Sequence, residues 1–149
     1  MLPQNCTKRK HEYRIHELLS NGQWLNLYFF KRYIHGVTAW FVCLSINKNI
    51  RESNDWYNGG KVGSLEKKQT GKCGIEGLRK ALNYILEFEK TIKDDEILYI
   101  DTVADPKRRK VYSWFIKHCG WSHAVDVKTN EYTAFFSKMP YQWHEGMII

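Results

Sequence analysis

The stretch Gln69-Thr70-Gly71-Lys72-Cys73-Gly74 has the residue types and spacing best suited to chemistry. Glycines let a backbone approach an anion closely. A helix starting just beyond them would aim its unpaired N–H groups and partial positive charge at the same place. Lys67, Lys68 and Lys72 add positive field. The chemistry expected is the cradling of a phosphate; the plain alternative is an ordinary strand-to-helix turn. Lys107-Arg108-Arg109-Lys110 is a second candidate. Four cations opening a helix oppose its dipole, at a cost of up to about 1 kcal/mol. A polyanion such as nucleic-acid phosphate would account for them, and so would a solvated charge run.

Two weaker constellations complete the set. Asp55 and Glu66 with Lys67 and Lys68 contain the two carboxylates and a lysine that can hold Mg²⁺ and activate water, a trio that any basic chain offers by chance. His118, Cys119 and His123 lie close in sequence, but adjacent helical residues point in different directions and zinc needs four converging ligands. Cys73 would meet a helix N-terminus, which lowers a thiol pKa; with no partner base it reads as structural.

The elements that must position these residues follow from pattern. Residues 1–12 read as a flexible basic tail and 13–149 as a single domain. Residues 13–18 are ambiguous. Asn21-Gly22 and His35-Gly36 are turn signals. Between them lies an aromatic and β-branched segment, 24–34, and after them an apolar run, 37–46, with the character of a buried central strand. Residues 47–63 read as a long loop in which Trp56 and Tyr57 either anchor it to the core, the favoured reading, or meet a ligand. A short strand is expected over 62–69. A helix is expected over 75–91, because Ile75, Leu78, Ala81, Leu82, Ile85, Leu86 and Phe88 share one face. A buried strand over 97–103 comes next. Asp105-Pro106 then starts a helix that stops at Gly120. Residues 123–127 and 132–137 form a closing hairpin. The fold class is α/β: a mixed, mostly antiparallel sheet of six or seven strands with two main helices.

Composition narrows the partners. The chain has 149 residues, 43% hydrophobic and 26% charged, which is globular. Its net charge of +7 favours acidic partners: nucleic acid, a phosphorylated cofactor or an acidic protein. Aromatics reach 15%, enough to fill a core and leave some for stacking. Cys6, Cys43, Cys73 and Cys119 form no CxxC pair, so neither a disulfide scaffold nor a zinc ribbon is expected. No secretion signal and no bilayer-spanning run is found. The expected location is cytoplasmic, with reduced thiols and no membrane partner.

From residue 62 to 139 the chain resembles the GNAT N-acetyltransferase superfamily. Its signature, Q/R-x-x-G-x-G/A between strand and helix, is met by Gln69 and Gly74, with Lys72 in place of the central glycine. The family continues with an amphipathic helix, a buried strand, a second helix ending in a Gly-aromatic turn, and a closing hairpin. Phe115-Ile116-Lys117-His118-Cys119-Gly120-Trp121 looks like that helix end. The resemblance implies that backbone amides of Gln69, Thr70, Gly71, Lys72, Cys73 and Gly74 hold the pyrophosphate of acetyl-CoA (coenzyme A). It also implies that Lys107 and Arg108 meet the 3′-phosphate end, and that Glu66 deprotonates a primary amine. The tyrosine that serves the family as acid toward the leaving thiolate falls on Ile116, which has no proton to give; Tyr112, one turn earlier, is the substitute or a core residue. The N-terminal half shows hairpins where the family has two helices. Two functions stand: an acetyl transfer from acetyl-CoA to an amine, or a non-catalytic module on the same fold that binds nucleic acid or a protein through a basic, aromatic surface.

Overall fold

A computed structural model describes residues 6–9, 11–34, 36–58, 74–101 and 106–138. They form strands β1 (Cys6–Arg9), β2 (Glu12–Leu18), β3 (Trp24–Ile34) and β4 (Val37–Asn47), then helices α1 (Ile50–Tyr57) and α2 (Gly74–Glu89). Strand β5 (Ile97–Asp101), helix α3 (Pro106–Cys119) and strands β6 (Ser122–Val125) and β7 (Tyr132–Phe136) complete the order. The strands make one seven-stranded sheet, β1-β2-β3-β4-β5-β7-β6. This is the mixed, mostly antiparallel α/β architecture expected from the sequence.

Connection length dictates direction. β2 to β3 and β3 to β4 are joined by tight turns, so these neighbours run antiparallel. Gly22 at φ 85° and Gly36 at φ 80° supply the left-handed backbone the turns need. β4 and β5 are parallel, with Ala39, Trp40 and Phe41 opposite Ile97, Leu98 and Tyr99, because the chain between them is long enough to cross over. β7 lies antiparallel between β5 and β6.

Several boundaries differ from expectation. The expected loop at 47–63 contains α1. Asn49 caps it, accepting the Glu52 N–H at 2.7 Å, and Asn47 in turn accepts the Asn49 N–H. Cys6–Arg9, inside the segment read as a tail, is a strand paired to β2, with Cys6 opposite Ile15. The ambiguous segment 13–18 is β2. The expected strand at 62–69 lies outside the described residues.

Backbone contacts divide the chain into two compact units, one within 1–29 and 43–91, the other within 30–42 and 92–149. In the first, α2 covers one face of the strands. Phe88 stacks on Phe29 at 3.9 Å and meets the edge of Tyr13 at 5.3 Å. Ile15, Leu25, Leu27, Ala81 and Ile85 are buried with them. Each large side chain removed from water contributes about 1.5–3 kcal/mol. Glu17, on the same face of β2 as Tyr13 and Ile15, receives Tyr84 and Lys80 from α2.

In the second unit, Val37, Ala39, Ile97, Ala134 and Phe136 form a buried cluster. Along its border the rings of Phe30, Phe41, Tyr99 and Phe136 follow one another at 5.2, 4.7 and 6.3 Å. α3 contributes Tyr112, against Phe135, and Phe115, stacked on Trp121 at 4.3 Å. Gly120, at φ 69°, ends α3 and lets the Trp121 N–H reach back to the Phe115 carbonyl.

Candidate functional site

Of the residues singled out in the sequence, Glu66, Gln69, Thr70, Gly71, Lys72 and Cys73 lie outside the described residues. Gly74 is the first residue of α2, and Lys107 and Arg108 lie in the first turn of α3. Tyr112 is 3% exposed, its ring packed toward Phe135. The amino end of α2 bears Glu76. Its carboxylate accepts both the backbone N–H and the hydroxyl of Ser20, and these bonds hold its pKa below the ordinary value.

The densest polar arrangement among the described residues was not singled out by sequence. It lies in the first unit, on the strand face opposite α2. Successive strand residues alternate between faces. Tyr13, Ile15 and Glu17 turn toward α2, so Glu12, Arg14 and His16 turn the other way, beside Asn26 and Tyr28 of β3. Arg14, Asn26, Ser45, Asn47 and Ser53 are all buried. Burying so many polar groups costs free energy unless each is hydrogen-bonded, and the contacts show how that is met.

Arg14 donates from Nε to Glu12 and from Nη2 to Asn58, each at 2.9 Å. Its guanidinium lies over the rings of Tyr28 and Tyr57 at 5.6 and 5.0 Å. Those rings stack on each other at 4.1 Å. Tyr57 donates to the second carboxylate oxygen of Glu12 at 3.0 Å. Tyr28 donates to Asn54 Oδ1 at 2.8 Å; with its one proton so used, the Ser53 hydroxyl donates to Tyr28 at 2.7 Å. Thus α1 sits on the sheet through a charged and aromatic network.

Beside it, Asn26 donates its amide N–H₂ to two backbone carbonyls, Trp24 O at 3.2 Å and Ser45 O at 3.3 Å. Carbonyls only accept, so the amide orientation is fixed. Its oxygen lies 2.8 Å from His16 Nδ1, and an acceptor there requires Nδ1 to carry the proton. His16 is half-buried and meets Tyr28 edge-on at 5.9 Å.

Electrostatics follow from burial. Loss of solvent lowers the His16 pKa below 6.5; the bond to Asn26 opposes this and the charge of Arg14 assists it. Burial pushes the Tyr28 phenol up to about 12, and raises Tyr57 with help from the Glu12 carboxylate. Both tyrosines are therefore neutral donors at pH 7. His16 is a neutral imidazole with its basic lone pair on Nε2. Among the described residues no group of three or more His, Cys, Asp or Glu side chains is placed to hold a metal. No described helix is long and apolar enough to cross a membrane.

The second unit carries a different surface. Arg32, exposed, lies over Phe30 at 5.1 Å and Phe41 at 5.9 Å. Tyr33, the next residue of β3 and therefore on its other face, is 76% exposed.

Comparison of the chain with protein-family models, with curated proteins and with solved structures found no match.

Proposed function

We propose that the chain is a GNAT-like acyltransferase that moves an acetyl group from acetyl-CoA to a primary amine. The observation that supports this reading is the order of elements after α1. An amphipathic helix beginning at Gly74, a buried strand, a helix closed by Gly120-Trp121 and an antiparallel hairpin follow one another, in the order the sequence resemblance implies. α2 lies in the crossover between two parallel strands, a connection whose helix N-terminus suits an anionic cofactor. In this reading the amine nitrogen attacks the thioester carbonyl carbon, the C–S bond breaks, and the amine proton must leave. The thioester is already activated, so the protein mainly positions the reactants and stabilises the oxyanion.

Calorimetric titration with acetyl-CoA and coenzyme A tests the reading. Micromolar binding supports it; no binding at millimolar ligand overturns it.

A second reading rests on a separate observation. Arg32 over Phe30 and Phe41 is a basic and aromatic surface of the kind that binds single-stranded nucleic acid. The burial of Tyr112 and isoleucine at position 116 favour such a non-catalytic module. Salt-dependent binding of an oligonucleotide, together with silence toward coenzyme A, would select it.

A further inference from the structure

We infer that the outward face of α3 binds single-stranded nucleic acid. Trp114 and His118 form a platform on which a base stacks, and Lys117, with Lys107 and Lys110 on the same helical face, supplies positive charge for the phosphates. The inference rests on the second reading above, that the chain binds nucleic acid, and not on acetyl transfer. It names a surface separate from that of Arg32. Phe135 meets α3, whereas its neighbour Phe136 belongs to the ring row that includes Phe41, so the two surfaces lie on opposite faces of the sheet.

The face is defined by what α3 buries. Tyr112 and Phe115 turn inward, against Phe135 and Trp121. Trp114, Lys117 and His118 are exposed on the other side, Trp114 by 37%. The indole stacks on the His118 imidazole at 4.7 Å, with 16° between the planes. His118 Nδ1 donates to the Trp114 carbonyl at 3.1 Å, which holds the imidazole in place over the indole. A histidine near a helix end often bonds a late carbonyl, and a lone exposed aromatic calls for no explanation. Here the two planar rings are ordered on each other, in water, on a helix of one charge sign.

That charge is the second observation. α3 carries five Lys and Arg residues and no acidic one. Lys107 and Lys110 occupy positions seven and four residues before Trp114, and Lys117 lies three after it, all on one face of the 3.6-residue repeat. From Lys107 to Lys117 the helix rises about 15 Å, room for a short run of nucleotides. Like charges along a face repel, and cations in the first turn oppose the dipole. A polyanion relieves both. Duplex nucleic acid offers phosphate but keeps its bases stacked on one another; a single strand offers phosphate and an open base together. An anionic membrane requires an apolar face to bury, and the apolar side of α3 is already spent on the core.

Anisotropy of a labelled polydeoxythymidine oligonucleotide, titrated with the full chain across a salt series, tests the site. Trp114→Ala should weaken binding about 10-fold or more and leave the salt slope unchanged, with Trp114→Phe losing less. Lys117→Ala should lower the slope of log affinity against log salt by about 0.7. Both positions are exposed, so circular dichroism should be unaltered. An abasic oligomer of the same length should bind the wild type and Trp114→Ala equally. Wild-type affinity in Trp114→Ala and an unaltered slope in Lys117→Ala overturn the site. If Arg32→Ala alone then weakens binding, the nucleic acid lies on the Arg32 surface, and the second reading survives without α3. A wild-type protein that binds no oligonucleotide at low salt removes both. Binding to phosphatidylserine vesicles in preference to the oligonucleotide overturns the inference in favour of a membrane surface.

Discussion

The Trp40 indole donates to a carboxylate oxygen of Glu96 at 3.2 Å, tying the middle of β4 to the residue before β5. The same oxygen accepts the Lys93 N–H at 3.0 Å, and Lys31 approaches the other at 3.5 Å. Glu96 is buried. Burial alone would raise its pKa, but the Lys93 N–H, the indole and the Lys31 charge together hold it below 4.5. Glu96→Ala leaves the buried indole without this acceptor and should cost roughly 2–4 kcal/mol, with Glu96→Gln costing less; urea denaturation measures both. Because the folded pKa is depressed, the stabilisation is present above pH 4.5 and is lost as pH falls through the folded value. Stability curves of the wild type and Glu96→Gln should therefore converge in acid.

His16 adds a second pH dependence in a higher window. Its folded pKa lies below 6.5, so the unfolded chain binds the proton more readily. Stability is full above pH 6.5 and declines as pH falls through the folded pKa. His16→Gln should flatten the stability profile there without altering it above pH 7. An unchanged slope between pH 6.5 and 5 would assign that slope to another group.

Tyr57→Phe keeps the ring stacked on Tyr28 but removes the bond to Glu12. The expected cost is about 1–2 kcal/mol, as for a part-buried bond to a charged acceptor. Amide hydrogen exchange should accelerate in α1 and stay as it was in α2, since α2 is held by Phe88 rather than by the polar network. Equal acceleration in both helices would show that α1 does not open on its own.

Gly74→Trp places a large side chain at the first residue of α2. It should abolish binding of coenzyme A while leaving the circular dichroism spectrum essentially intact. Unchanged binding would remove that helix start from the cofactor site.

Replacing Lys107, Arg108, Arg109 and Lys110 with alanine should weaken binding to any polyanionic partner, most of all at low salt. Equal binding of a confirmed partner across ionic strengths would take this run out of the interface.

How far the sequence was legible follows from which forces each segment used. α2 was readable because Ala81, Ile85 and Phe88 repeat at helical spacing and are all buried. β4 was readable as a continuous apolar run, and the turns at Gly22 and Gly36 because left-handed backbone selects glycine. α1 was hidden by its polar composition, although Asn49 followed three residues later by Glu52 is a capping pattern that marks a helix start. The polar face of the first unit was hidden for a deeper reason. Charged and amide residues at alternate strand positions, as at Glu12, Arg14 and His16, are the usual mark of a solvent-facing side. Pattern alone does not show that a short helix covers them, or that Arg14 finds Asn58 once it is covered. That pairing depends on residues 44 positions apart, and local sequence carries no trace of it.

The parallel pairing of β4 with β5 also orders events in time. Ala39 meets Ile97, a partner about sixty residues along the chain, whereas β2, β3 and β4 meet across turns of a few residues. Closing a long loop costs entropy before any contact repays it. The hairpins are therefore expected to condense first and the β4–β5 ladder last. Substitutions in the β2–β3 turn should then slow the acquisition of the native state, while those at Ala39 or Ile97 should mainly change how long it lasts, as folding and unfolding rates in urea would show.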